Sequence, residues 1–142
     1  MEVISLLRSR NRCLVKFRDL SAEFLEGTRA GDFSLLELFE VRREATLKAL
    51  TLYEGKLGEA AGLLKPAQKT KQLILDIESL LMERETLVHE IARIDQNILA
   101  SMASERTRLL RDLTQQKKSH DVLQKFKSAW IPPAGEELDK KL

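Results

Sequence analysis

Hydrophobic residues recur every three or four positions near the start of the chain, as they do on one face of an amphipathic helix. The stripe is interrupted only by Arg10 and consists of Val3, Leu7, Leu14, Phe17, Leu20 and Phe24. Glycine readily adopts the left-handed conformation that ends helices, and Gly27 and Gly31 follow the stripe. The pattern therefore predicts a first helix over about residues 2–26.

A second helix is predicted over about residues 35–57. Ser34 is suited to cap its first turn, and Glu37 to reach back to the cap. Phe33 is then placed to pack on Leu38. The hydrophobic face continues through Leu38, Ala45, Ala49 and Tyr53. Helix-weakening residues follow at Gly58, Gly62 and Pro66.

The next stretch, from Ala67 to Ile131, contains neither glycine nor proline. These two residues interrupt helices most strongly, so their absence predicts one exceptionally long helix over about residues 67–129. Its first half has a seam with alternating steps of four and three, in which only Arg84 is polar. The seam comprises Leu73, Ile77, Leu80, Arg84, Leu87, Ile91, Ile94 and Ile98. This heptad pattern predicts coiled-coil-like packing.

The heptad phase changes after Ile98. Continuing it would bury a run of polar residues, at a high cost in desolvation: Ser101, Glu105, Arg108 and Asp112. The stripe instead resumes at Leu109, Leu113, His120 and Leu123. The eleven-residue step to Leu109 contains a four-residue stutter, which predicts a bend or break near residues 101–105. A bent continuous helix is favoured over a chain that folds back as a fourth helix.

The predicted fold class is all-α, an antiparallel helical bundle or coiled-coil hairpin with a long third helix. We expect residues 1–131 to form one domain and residues 132–142 to be a short flexible tail. The first two helices are long enough to cover the third only to about Ile98. Hydrophobic residues beyond that point lack a predicted partner, and exposed hydrophobic surface usually marks a binding site. The candidate partner-binding residues are Met102, Leu109, Leu110, Leu113 and Leu123, with Phe126 on the same segment.

Composition favours a helical binding protein in the cytoplasm. The 142 residues are 43% hydrophobic and 32% charged, with a net charge of +2. No apolar run is long enough to cross a membrane, and no signal-peptide segment precedes Arg8. Cys13 is the only cysteine, which excludes an internal disulfide.

The sequence contains no recognisable catalytic motif. His89 and His120 are far apart, and neither has a second ligand candidate at metal-binding spacing. Phosphate-binding glycine loops and nucleophile elbows are absent. We therefore expect no enzymatic activity, no cofactor and no metal. A basic bias between Arg106 and Lys127 leaves nucleic-acid binding as a less favoured alternative.

Residues 31–44, 108–128 and 134–142 resemble the FliT and FlgN flagellar export chaperones. The first is Gly31-Asp32-Phe33-Ser34-Leu35-Leu36-Glu37-Leu38-Phe39-Glu40-Val41-Arg42-Arg43-Glu44. It is similar to a region of that family in which a glycine, an acidic residue and an aromatic precede a leucine-rich helix bearing arginine. Residues 108–128 resemble the family's C-terminal helix, and residues 134–142 resemble its short tail.

The resemblance implies a small cytoplasmic helical chaperone, with a FliT-like member favoured. Such proteins bind the helical terminus of a late export substrate, a filament cap or hook-filament junction protein. They prevent its premature assembly and deliver it to the export gate. The family aromatic implicated in gate docking matches Phe126 here. It is usually tyrosine, so this chain keeps the ring and lacks the hydroxyl.

The implied partners are therefore the export substrate and components of the export gate and export ATPase. No small-molecule substrate and no membrane insertion are expected, and a homodimer stays open. The main alternative is a coiled-coil scaffold or stalk of the type III export apparatus. Self-association without substrate binding would favour that alternative.

Overall fold

The computed structural model describes residues 2–130 and contains three α-helices. Helix α1 spans Glu2–Arg29, α2 spans Leu36–Gly62 and α3 spans Lys71–Trp130. A short 3-10 turn, Pro66–Gln68, lies between α2 and α3. No strand occurs in the described residues. The all-α class and the long third helix are confirmed.

Helix α1 ends at the predicted glycine, three residues beyond the predicted boundary. Gly31 has a φ of 80°, the left-handed conformation. Its backbone N–H donates to the carbonyl of Thr28 at 3.0 Å, and the N–H of Asp32 donates to the carbonyl of Gly27 at 2.8 Å. These two bonds form a Schellman motif, which pairs the last carbonyls of the helix.

The predicted cap of α2 is wrong. Leu35 is the N-cap residue, and no side chain caps the first turn. Asp32 instead accepts a hydrogen bond from the backbone N–H of Ser34 at 2.9 Å. Hydrogen bonds from the hydroxyl and the backbone of Ser34 lower the pKa of Asp32 below its ordinary value. An Asx turn therefore organises the α1–α2 loop ahead of α2.

Two other boundaries differ from prediction. Helix α2 continues through Gly58 to Gly62, because a single glycine weakens a helix without ending it. Helix α3 begins at Lys71, four residues later than predicted. The hydroxyl of Thr70 accepts a hydrogen bond from the backbone N–H of Leu73 at 3.1 Å and so caps α3.

Residues up to Met102 form one compact unit with two hydrophobic clusters. The first cluster has at its centre the buried Phe17, Phe24, Leu25, Phe39 and Ile98. The second is formed by the buried Val3, Leu7 and Ala60, with Ile77 and Leu80 partly buried against them. Each cluster draws on all three helices. The start of α1 therefore packs near the end of α2 and the start of α3, as in an up-down-up bundle.

Ion pairs between helices fix the same register. Arg10 of α1 donates to Glu54 of α2 at 2.7 Å. Arg18 of α1 donates to Glu90 of α3 at 3.0 Å. Arg43 of α2 donates to both carboxylate oxygens of Asp95 of α3, at 2.9 and 3.0 Å. These pairs place α1 parallel to α3 and antiparallel to α2.

The predicted hydrophobic face of α2 is wrong at Leu38 and Ala45, whereas Ala49 and Tyr53 are partly buried as predicted. Leu38 is 44% exposed and Ala45 is exposed, whereas Phe39 is buried. The ring of Phe39 stacks on that of Phe24 with centroids 4.5 Å apart. The inward positions follow steps of three and four and are Leu36, Phe39, Arg43, Thr46, Leu50, Tyr53, Leu57, Ala60 and Leu64. Two of these positions, Arg43 and Thr46, are polar, so this second heptad seam does not stand out as a hydrophobic pattern in the sequence.

The predicted seam of α3 is confirmed. Leu73, Leu87 and Ile98 are buried, and the remaining seam residues, Arg84 included, are partly buried. Helix α3 runs through residues 101–105 without interruption, so the alternative of a chain break there is excluded. A second compact unit begins at Ala103, at the stutter. The predicted bend stays a prediction.

Candidate partner-binding surface

The described residues contain no group of three or more histidine, cysteine or acidic side chains placed to hold a metal ion. His89 is exposed and lies 3.9 Å from Glu85 on the same helix. His120 is also exposed. Burial raises the pKa of the Cys13 thiol, and nearby Lys16 acts in the opposite direction. A raised pKa reduces the thiolate fraction, so Cys13 is suited to packing.

Hydrophobic side chains are exposed along α3 beyond Ala103. The exposed fractions are 49% for Leu109, 54% for Leu110 and 61% for Leu113. Leu123 is 53% exposed and Phe126 is 57% exposed. Four of the five predicted partner-binding residues, and the predicted gate-docking residue Phe126, therefore lie on accessible surface.

Met102 differs from the other predicted residues. It is partly buried and packs against the cluster that contains Phe39 and Ile98. We expected Met102 to lie outside the core, because the heptad phase changes after Ile98. One further turn of α3 packs on the bundle, so part of the Met102 side chain is already covered.

The polar residues of the stutter pair with each other along α3. Arg108 donates to Glu105, and also to Asp112 at 3.1 Å. The hydrogen bond from Arg108 lowers the pKa of Glu105, and the same bond raises that of Arg108. These three residues occupy the positions that would continue the α3 seam. Their charges pair with each other at the surface. Because burying these charges would be costly, the heptad packing stops here.

The exposed hydrophobic residues of this segment form two patches. We call Leu109, Leu110 and Leu113 the leucine patch, and Val122, Leu123 and Phe126 the distal patch. Each residue advances about 100° around an α-helix, so Leu113 and Val122, nine positions apart, point in opposite directions. Only Leu109 and Leu123 come within about 40° of each other, where the two patches approach most closely. Because the other residues point in different directions, one straight partner helix cannot cover both patches.

Val122 was missed by the sequence reasoning. It is 66% exposed, and it lines a shallow surface groove with Leu123 and Phe126. It lies outside the hydrophobic stripe through Leu109 and Leu113, so the periodicity did not indicate it. Its hydrophobicity, next to Leu123, was the available signal.

A second apolar surface, also missed, lies along the bundle between α2 and α3. Ile74, Leu81 and Val88 recur every seven residues, as does Asp95, which pairs with Arg43 of α2. These positions therefore lie on the side of α3 that faces α2. They are 49%, 45% and 39% exposed. On α2, Leu38 and Leu52 are 44% and 66% exposed, but they lie on the side of that helix away from Arg43.

Basic side chains surround the leucine patch. Residues 103–130 contain seven lysines and arginines and three acidic residues, a net charge of +4. Two of the three acidic residues, Glu105 and Asp112, pair with Arg108. Within the described part of the chain, Arg106, Arg111, Lys117 and Lys118 form no ion pair. This surface is therefore both hydrophobic and electropositive.

No helix within residues 2–130 is long and apolar enough to cross a membrane. Comparison with protein-family models, with curated proteins and with solved structures finds no match to this chain. The resemblance to flagellar export chaperones therefore stays a prediction.

Proposed function

We propose that this protein binds a helical segment of another protein on α3 beyond Ala103 and acts as a chaperone for it. The leucine patch is the observation that carries this proposal. Leu109, Leu110 and Leu113 are each about half exposed or more. An amphipathic helix can lay its apolar face along such a stripe without any catalytic residue.

The expected strength of this contact follows from burial. Complete burial of a leucine side chain is worth about 1.5–3 kcal/mol, so covering the exposed half is worth about 1 kcal/mol. The three leucines together contribute about 3 kcal/mol. That corresponds to roughly two orders of magnitude in affinity. The patch is therefore large enough to contribute substantially to affinity, with further contacts needed for tight binding.

The more specific form of the proposal is a flagellar type III export chaperone that works in the cytoplasm. Only the resemblance of residues 31–44 and 108–128 to FliT and FlgN supports it. The client is the helical terminus of a filament cap or hook-filament junction protein. Binding keeps that segment from assembling prematurely until delivery to the export gate, where Phe126 docks.

Co-purification tests the proposal. The tagged full chain is expected to form a one-to-one soluble complex with a cap or junction protein, measured by size-exclusion chromatography with light scattering. The Leu110→Ala/Leu113→Ala variant should weaken that complex at least tenfold, since it removes two of the three patch leucines. Failure to bind any late flagellar substrate, combined with self-association, would favour the coiled-coil scaffold instead.

A second test separates client binding from gate docking. Phe126→Ala should weaken binding to the export gate and leave client binding on the leucine patch unchanged. Leu110→Ala/Leu113→Ala is the complementary variant, which should weaken client binding and leave gate binding unchanged. Equal loss of gate and client binding in Phe126→Ala would refute the division between the two patches.

A further inference from the structure

We propose that the leucine patch selects an acidic amphipathic helix, whose carboxylates pair with Arg106 and Lys117. This inference rests on the proposed function and specifies the chemistry of its partner. Arg106 lies four residues before Leu110, and Lys117 lies four residues after Leu113. Residues at this spacing share one face of a helix. The two cations therefore bracket the leucines on a single stripe.

The stripe sets a spacing that a partner must match. Arg106 and Lys117 are eleven residues apart, which is about 16 Å along the axis of α3. A partner helix packed alongside would place two carboxylates about 16 Å apart, again separated by about eleven residues. Leucine or another apolar residue would fill the interval. A partner helix that carries this pattern on one face would match the leucine patch and its two flanking cations.

The charges of this face are available for such a partner. Arg111 and Lys118, two further cations of this segment, lie on the opposite side of α3 from Leu109. Asp121 is the only acidic residue of the segment that does not pair with Arg108. Opposite charges across a contact favour the correct partner, and like charges exclude others. A partner with acidic flanks therefore fits and one with basic flanks does not.

Pairing of two copies through this patch is disfavoured by the same charges. Antiparallel pairing about Leu110 and Leu113 would place Arg106 of one copy beside Lys117 of the other. Parallel pairing would place each cation beside its own equivalent. Both arrangements oppose like charges at the edges of the contact. The patch is therefore suited to a different, acidic chain.

Nucleic acid would leave the leucines without a function. Single-stranded nucleic acid is bound by aromatic stacking together with basic grooves. The leucine patch contains no aromatic residue. Phosphate contacts would also use Arg111 and Lys118 as readily as the cations of the patch. This difference allows a direct test.

The test uses two synthetic helical peptides of about 22 residues with leucines at heptad spacing. One carries glutamates eleven residues apart at the flanks of the leucine stripe, and the other carries lysines there. Binding to the full chain is measured by fluorescence anisotropy at low and at physiological salt. The glutamate peptide should bind about tenfold or more tightly than the lysine peptide, and the difference should shrink with salt.

Paired variants locate the effect. Arg106→Glu/Lys117→Glu should weaken the glutamate peptide about tenfold and improve the lysine peptide. Arg111→Glu/Lys118→Glu makes the same change in net charge on the opposite face and should alter either affinity less than threefold. Circular dichroism confirms that both variants remain helical. Equal effects of the two variants, or equal binding of the two peptides, would overturn the inference.

Other occupants give distinct results. A single-stranded oligonucleotide that binds more tightly than the glutamate peptide would overturn the inference in favour of nucleic acid. Sedimentation velocity showing a dimer that Leu110→Ala/Leu113→Ala dissociates would overturn it in favour of a second copy. If a client is lost with the leucine variant but retained by Arg106→Glu/Lys117→Glu, the charge rule fails and the proposed function stands. If the leucine variant retains the client, the proposed function itself fails.

Discussion

Replacing Phe39 by alanine tests which face of α2 packs in the bundle. Phe39 is 6% exposed, and its ring stacks on Phe24 at 4.5 Å and on Phe17 at 6.3 Å. Only one other residue of α2, Ala60, is buried. Phe39→Ala therefore removes the main hydrophobic anchor of α2. A buried phenylalanine cut to alanine costs about 3–5 kcal/mol in free energy of unfolding.

Urea unfolding followed by circular dichroism measures this loss. With an m-value of about 1–3 kcal/mol/M for a small domain, the midpoint should fall by roughly 1–5 M. Leu38→Ala is the matched control, since Leu38 is adjacent in sequence and 44% exposed. Its cost should be below about 1 kcal/mol, because only a fraction of its surface is buried. A larger loss for Leu38→Ala than for Phe39→Ala would refute the packing of α2 described above.

Three further predictions concern local structure and buried charge. Gly31→Ala should destabilise the fold by about 1–2 kcal/mol, because Gly31 has a φ of 80°. Gly58 lies in a helix with open space around it, so Gly58→Ala should stabilise the fold by about 0.5–1 kcal/mol. Urea unfolding measures both changes. The pKa of Asp32 is lowered by its hydrogen bonds in the folded protein. The ionised Asp32 therefore stabilises the fold at pH values above its ordinary pKa of 3.8, and this stabilisation is lost as the pH falls through the lower pKa of the folded state. Asp32→Asn should reduce the difference in unfolding free energy between pH 7 and pH 3, and an unchanged difference would contradict the reasoning. Glu54→Gln should cost about 1–2 kcal/mol in thermal unfolding experiments, since it weakens the pairing of the buried Arg10 guanidinium. Arg10→Met should cost less, because Nε and Nη2 of Arg10 are buried without a partner. A larger cost for Arg10→Met would contradict this reasoning.

Helices α1 and α3 were predictable because each has one hydrophobic stripe that is longer and more regular than any other on the same helix. Leu7, Leu14 and Phe17 of α1 are buried as the pattern indicates, and so are Leu73 and Leu87 of α3. When only one face of a helix is apolar, only that face can pack without burying charge. Local sequence is then sufficient to orient the helix.

Helix α2 was less predictable because it carries hydrophobic residues on several faces. Leu38 and Leu52 compete with Leu36 and Leu57 for the interior, and periodicity does not decide between them. Tertiary contacts decide in favour of the seam that contains Phe39, since its ring fills the space between α1 and α3. The seam also carries Arg43, whose charge is paired with α3 and whose guanidinium lies 5.5 Å from the Phe17 ring.

The candidate surface was partly predictable. An exposed run around Leu109 and Leu113 follows from the end of the heptad seam, which is a local property. Two features required the coordinates. Met102 packs on the bundle because α3 continues one turn further in contact with it. The pairing of Glu105 with Arg108 depends on side-chain conformations that spacing permits and does not dictate.

By itself, the sequence determined the helical class, the presence of a long third helix, the glycine that ends α1 and the heptad seam of α3 up to Ile98. Each of these depends on residues that are close together in the chain. The tertiary structure alone decided which face of α2 is buried, how far α3 packs, and which cations remain without an ion pair in the described residues. Those outcomes depend on side chains such as Phe39 and Asp95 that meet only after distant segments have packed together.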